Sequence, residues 1–249
     1  DALRRSYNTI AVWIGSYVGA EELFSFAHDT LNCTYLDPEH DVDLAPLVLG
    51  SQSQGLTVVE LAGAYSIFND GKFTTPHYWT EIYDSDGNLY LDNSKRVTTV
   101  QAIDPAAATI MNRLLSNVWK KPGTANGMKP ETEGIDTIGK TGTTSDFKDY
   151  TFAGVSPYYS TAVWWGYDAP YDMTKTLGKQ QAKTRTCVTA WKALMEQVQA
   201  DLPYKAFPAA DGVVERSYCT QSGLLASGSC PSTAVGYYRA DDLPDVCNY

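Results

Sequence analysis

The run Lys140-Thr141-Gly142-Thr143-Thr144 places a cation, three hydroxyls and one position without a side chain in five consecutive residues. If this run is a strand, Thr141 and Thr143 share one face and Lys140 points to the other. Gly142 lets a second backbone or a ligand approach closely. Hydroxyls beside a cation suit a bound carboxylate, and the peptide groups of such a strand suit an extended peptide laid along its edge. The backbone N–H of Thr143 can also donate to a developing oxyanion, an effect of about 3 kcal/mol per donor. A second short element, Ser6-Tyr7-Asn8, sets a hydroxyl and a carboxamide two residues apart near the first residue. Taken singly, both are ordinary: Ser6 suits a helix cap or loop, and Lys140 a solvated strand position. Their value lies in order, separation and context.

The elements that must position them read as follows. Residues 2–30 are expected to be mainly helical, followed by an Asp-, Pro- and Gly-rich loop over 32–55. Thr57 and Glu60 form a T-x-x-E capping box, opening a helix with Leu61, Ala64, Tyr65 and Phe68 on one face and a stop at Asp70-Gly71. Residues 78–90 read as strand, turn and strand around Asp84-Ser85-Asp86-Gly87-Asn88. That turn is not a calcium loop, because its twelfth position is Lys95 rather than a bidentate Glu. Asp104-Pro105 opens a helix with Ile110, Leu114, Leu115 and Val118 as its apolar face. A polar loop over 122–134 leads into the Lys140 strand. Two further strands, over 150–155 and 161–167, turn at Ser156-Pro157. The last long helix is expected over 184–200. Residues 204–249 lack such periodicity and are taken as an appended tail to a domain spanning 1–203.

Composition narrows the function classes. The 249 residues carry a formal charge of −10 and no basic block able to track a phosphate backbone, which argues against nucleic acid as a partner. No apolar run reaches the roughly 20 residues of a membrane span, and no signal peptide is visible. The chain opens at Asp1 without Met, directly into a helical pattern, and is read as a segment of a longer protein. His28, His40 and His77 show no ligand spacing, and the five cysteines lack the pairing of a zinc motif, so no metal or cofactor is expected. Cys219 and Cys230 can close a short disulfide loop in an oxidising compartment, but nothing in the sequence fixes the pairing.

Three stretches carry a resemblance: ALRRSYNTIAVWI at 2–14, GLTVVELAGAYSIFNDG at 55–71 and GKTGTTSDFKDYTFAGVSP at 139–157. Together they resemble the C-terminal part of the transpeptidase domain of class A penicillin-binding proteins, over about residues 2–203. The resemblance implies an α+β fold of the penicillin-binding transpeptidase and serine β-lactamase type, an antiparallel sheet flanked by helices. The first elements of that fold are expected to be absent from this chain. It implies a peptidoglycan D,D-transpeptidase that cross-links stem peptides through a serine acyl-enzyme, with β-lactam antibiotics acylating the same serine. Placement would be at the outer face of the bacterial cell membrane, through an anchor upstream.

By motif, Ser6 would relay a proton and Lys140 would orient it and supply positive potential. Asn8 would hydrogen-bond the substrate or a catalytic lysine. Thr141 and Thr143 would bind the terminal carboxylate, with the Thr143 N–H as one oxyanion donor, and Gly142 and Thr144 would belong to the same substrate-binding run. The family's Ser-x-x-Lys nucleophile lies N-terminal to Ser-x-Asn, where this chain has only five residues. The string Ser145-Asp146-Phe147-Lys148 falls where the family has a loop and is set aside. The expectation is half an active site and a fragment inactive alone. The tail segment Cys219–Ala226 also resembles segments that follow the core in Gram-positive members. Two alternatives remain open: a β-lactamase or D,D-carboxypeptidase, and a non-catalytic module that binds wall peptide or β-lactam.

Overall fold

The computed structural model describes residues 1–132, 134–178 and 185–248. It begins with α1 (Ala2–Arg5), α2 (Asn8–Val18) and α3 (Ala20–Ser25), continued by one π turn over Phe26–Thr30. The expected loop over 32–55 contains a helix, α4 (Leu44–Leu49). Asp43 caps it by accepting from the Leu44 N–H at 2.6 Å, Leu47 packs into a core cluster, and Gly50 ends it with φ 78°. Pro46 sits in the first turn, where its missing N–H costs nothing, so the residue that suggested a loop is compatible with the helix.

The capping box forms as expected on α5 (Val58–Tyr65): Thr57 and Glu60 each satisfy the other's backbone N–H, at 2.9 and 3.1 Å. Glu60 also accepts from the Thr34 N–H at 2.7 Å, which ties the earlier loop to this helix. A 3-10 turn (Ser66–Phe68) follows, and left-handed Asp70 and Gly71 stop it. Two small antiparallel ribbons come next, β1 (Lys72–Thr74) with β4 (Thr99–Gln101), and β2 (Glu81–Tyr83) with β3 (Leu89–Asp92). The Asp84 carboxylate is spent on its own turn, accepting from the Asp86 and Asn88 N–H groups. Helix α6 (Pro105–Leu115) is capped by Asp104 and runs into a 3-10 turn, Ser116–Trp119.

The central sheet is β5 (Ile138–Thr143), β6 (Asp149–Val155) and β7 (Ser160–Gly166), in the antiparallel order β5-β6-β7. Its register pairs Lys140 with Ala153 and Thr141 with Phe152. One face holds Ile138 and Val155 against Leu115 of α6, Leu3 of α1 and Tyr65 of α5. The other holds Tyr150 and Phe152 against α8 (Arg185–Val198), which contributes Val188, Trp191 and Met195. Trp191 stacks on Trp119 at 5.9 Å and meets Phe152 edge-on at 5.1 Å. The packing is tight enough that a Cβ on Gly154 would lie 2.5 Å from the Trp191 ring. Short helix α7 (Met173–Leu177) anchors Met173 in the same core. The expected helix start at Thr184 lies outside the described residues.

The tail is not irregular. It forms a hairpin of β8 (Val213–Cys219) and β9 (Thr233–Arg239) against α6, with Arg239 3.6 Å from Asp104. Its strands carry little hydrophobic alternation, and only Cys219 among their residues is buried. All five cysteines are free thiols, so Cys219 and Cys230 do not close the loop as a disulfide. Among the described residues no helix is long and apolar enough to cross a membrane. Helix α2 leaves Trp13, Ile14 and Tyr17 exposed, Tyr17 at 74%.

Candidate active site

Three segments meet at the edge of the central sheet: the end of α1, strand β5 and the loop after Trp119. Helix α1 stops at Ser6 because its backbone turns left-handed, with φ 59° and ψ 49°, and its N–H closes on Leu3 O at 3.2 Å. That turn leaves the Ser6 hydroxyl exposed beside β5. Lys140 Nζ donates to Ser6 Oγ at 2.7 Å and to Thr141 O at 2.8 Å. The two residues are 134 apart in the chain. Burial of Lys140 pulls its pKa down from 10.5 to about 8, because desolvation penalises the charged form. A lysine in this range remains mostly an ammonium at neutral pH yet can give up its proton.

The strand alternation holds as read: Lys140 faces α1 and α6, while Thr141 faces the opposite side with Phe152. Buried Thr141 donates through Oγ1 to Thr124 Oγ1 at 2.8 Å, and the Thr124 N–H donates to Arg4 O at 3.2 Å. Thr124 thus links β5 to α1 and holds both halves of the site together. The sequence gives it no periodic signal. The nearest clue is Gly123, where a Cβ would lie 2.3 Å from Val118 O and only glycine fits the turn. Trp119 anchors the same loop by donating its indole N–H to Thr137 O at 2.8 Å.

Gly142 has a reason internal to the sheet, since a Cβ there would lie 2.2 Å from Thr151 Oγ1 on β6. Thr143 ends β5 and is exposed. Thr144 is drawn away from the group: its hydroxyl accepts the N–H groups of Lys148 and Asp149 at 2.9 and 3.0 Å and so caps the β5–β6 turn. Asn8 stands exposed at the first turn of α2, and no hydrogen bond joins its side chain to Ser6 or Lys140 among the described residues. The string Ser145-Asp146-Phe147-Lys148 lies in the turn, with Phe147 at φ 55° and Lys148 Nζ paired to Asp146 at 3.0 Å. A lysine so engaged is not aimed at Ser145.

Strand β5 has a partner on one side only among the described residues, so the edge next to Lys140 is open to an added strand. The result is an α+β scaffold presenting a Ser–Lys pair and the exposed Thr143 beside an open strand edge. The chain belongs to the penicillin-binding protein transpeptidase family: the description "Penicillin binding protein transpeptidase domain" matches residues 1–185. It is 32% identical to penicillin-binding protein 1A of Clostridium tetani, over all of this chain and 32% of that protein. It is also 32% identical to penicillin-binding protein 4 of Bacillus subtilis, over 68% of this chain and 26% of that protein. Among solved structures, penicillin-binding protein 1A of Haemophilus influenzae superposes with a TM-score of 0.74 at 21% identity, covering 98% of this chain and 40% of that one. The chain therefore spans about a third of the length of the curated relatives it matches.

Proposed function

We propose that this chain supplies the Ser-x-Asn and Lys-Thr-Gly half of a peptidoglycan D,D-transpeptidase working through a serine acyl-enzyme. The observation that carries the reading is the 2.7 Å bond from Lys140 to Ser6 beside the open edge of β5. In that geometry Ser6 accepts from the lysine, which leaves its own O–H proton available to the amine of the departing D-alanine. Lys140, with its pKa near 8, can hold or pass a proton and keeps positive potential over the substrate carboxylate. A stem peptide laid along β5 would place that carboxylate against Thr141 and Thr143, with the Thr143 N–H as an oxyanion donor. Asn8 would reach the substrate amide from α2. Thr144 supports the strand end through its turn.

The nucleophilic serine comes from a segment outside residues 1–249 in this reading. Support comes from the only Ser-x-x-Lys string, whose lysine is turned onto Asp146, and from the exposed apolar row on α2, which suits a covering element. β-Lactams would acylate that serine, and an amine of a neighbouring stem would resolve the natural acyl-enzyme into a cross-link. The placement that follows is the outer face of the bacterial membrane, with the anchor outside this chain and residues 204–249 an appendage.

Intact mass after benzylpenicillin treatment tests the reading on this chain and on a form extended upstream. A penicilloyl adduct only on the extended form supports it. An adduct on this chain itself would move the nucleophile to Ser145 or another residue here. No adduct on either would leave a non-catalytic binding module of the same fold.

A further inference from the structure

The C-terminal hairpin gathers three thiols that lie far apart in sequence. β8 ends at buried Cys219, and the chain turns back through Gly223, whose N–H donates to Cys219 O at 2.8 Å. Leu225 then bridges both Tyr218 and Val246. Its carbonyl accepts the Cys247 N–H at 2.8 Å and its N–H donates to Asp245 O at 2.9 Å, which seats buried Cys247 beside Cys219. Partly exposed Cys230 arrives from the loop between the strands. The three sulfur atoms all lie within 4.8 Å of one another.

Their surroundings differ from those of the other two cysteines. Cys33 and Cys187 each lie alone among apolar side chains, where burial pushes both thiols up to about 11. Each points its S–H at a carbonyl, Leu31 O and Tyr150 O. The tail sulfurs instead receive donors. The Ser222 hydroxyl donates to Cys247 Sγ at 3.2 Å, and the Ser227 N–H to Cys230 Sγ at 3.2 Å. The backbone N–H groups of Ser222 and Gln221 converge on the Cys219 sulfur. Donors aimed at sulfur also suit the cysteine form that ligates metal, which is the thiolate.

We propose that Cys219, Cys230 and Cys247 bind one zinc ion, which clamps the C-terminal hairpin. A tetrahedral site with Zn–S near 2.3 Å separates its sulfurs by about 3.8 Å, which the observed cluster accommodates. A disulfide would use only two of the three sulfurs that meet here. Three adjacent thiolates repel one another, and a soft dication removes that repulsion. Each thiol gives its proton to solvent as its Zn–S bond forms, so no oxidant or reductant is needed. Water fills the fourth position on the side where Cys230 is exposed. A two-stranded ribbon is marginal by itself, which is where a metal clamp has the most effect.

The test uses the full chain, reduced and freed of metal, titrated with cobalt(II) and then with zinc. Binding of one cobalt per chain should produce an intense near-ultraviolet thiolate charge-transfer band and visible bands of tetrahedral form, both erased by zinc. Zinc should shield three of the five thiols from a thiol reagent. Cys230→Ser, the substitution that disturbs packing least, should weaken zinc by more than the roughly tenfold to hundredfold typical of losing an outer partner. Cys33→Ser and Cys187→Ser should leave the titration unchanged. No band with the reduced chain overturns the proposal. So does an undiminished band in Cys230→Ser, or a protein two hydrogens lighter with Cys219 and Cys230 in one linked peptide that takes no metal once reduced.

Discussion

The central sheet and the C-terminal hairpin are both antiparallel, yet they are held by different forces. β5, β6 and β7 are covered on both faces, and Phe152, Val155, Trp191 and Met195 are almost completely removed from water. The hairpin β8–β9 buries one strand residue, Cys219. It is held by its own ladder, by point contacts to α6 such as Arg113 over the Tyr237 ring at 5.9 Å, and by the sulfur cluster at its end. Where apolar burial is large, a site can rest on rigid packing. Where burial is thin, a few polar or sulfur contacts must carry the shape. The Ser6–Lys140 pair belongs to the first regime, because its strand is pinned from below by the aromatic core.

Changes that erase this difference should be felt most. Trp191→Ala removes the ring shared by Trp119 and Phe152 and should cost about 3–5 kcal/mol by urea unfolding. A loss of under about 1 kcal/mol would mean that the sheet does not rest on this cluster. Lys140→Ala, made in a form long enough to react with benzylpenicillin, should slow acylation by about two to three orders of magnitude while leaving the unfolding midpoint close to wild type. An unchanged rate would remove Lys140 from the chemistry. Asp104→Ala takes away both the cap on α6 and the partner of Arg239. It should cost about 1 kcal/mol, with hydrogen exchange rising in β8–β9 rather than in β5–β7.

The smallest effect concerns pH. Folded Lys140 has its pKa lowered from 10.5 to about 8, so between these values the unfolded chain binds more protons than the folded one. Its contribution to stability therefore rises with pH across that window, and below about pH 8 the burial penalty is fully present. Lys140→Met should be stabilised relative to wild type at pH 7, with the advantage shrinking toward pH 10. A constant difference between the two urea midpoints would show that the lysine is not desolvated by folding.

Local signals were legible wherever a short stretch satisfies itself. The Thr57–Glu60 box, the Asp104 cap, the alternation of Lys140 and Thr141 and the β6–β7 turn all depend on neighbours within a few residues, and all form. Helix α4 was obscured because a proline in the first turn has the same composition as a proline in a loop. Thr144 shares its residue type with Thr143, but the turn's backbone N–H groups claim its hydroxyl. Thr124 carries no pattern at all, since its role consists of reaching Thr141 and Arg4 through space.

From residue types and spacing alone follow the family resemblance, the secondary elements around the site and the candidacy of Ser6, Asn8 and Lys140. These are statements about short-range order, which hydrogen-bond geometry and side-chain period impose on any chain with this sequence. Tertiary structure alone decided that Lys140 meets Ser6 across 134 residues, with its charge partly desolvated. It also decided that three separated cysteines share one point while the other two stay apart. Both outcomes depend on how packed elements are brought together, and the identity of a distant partner is not written in the residues beside either end.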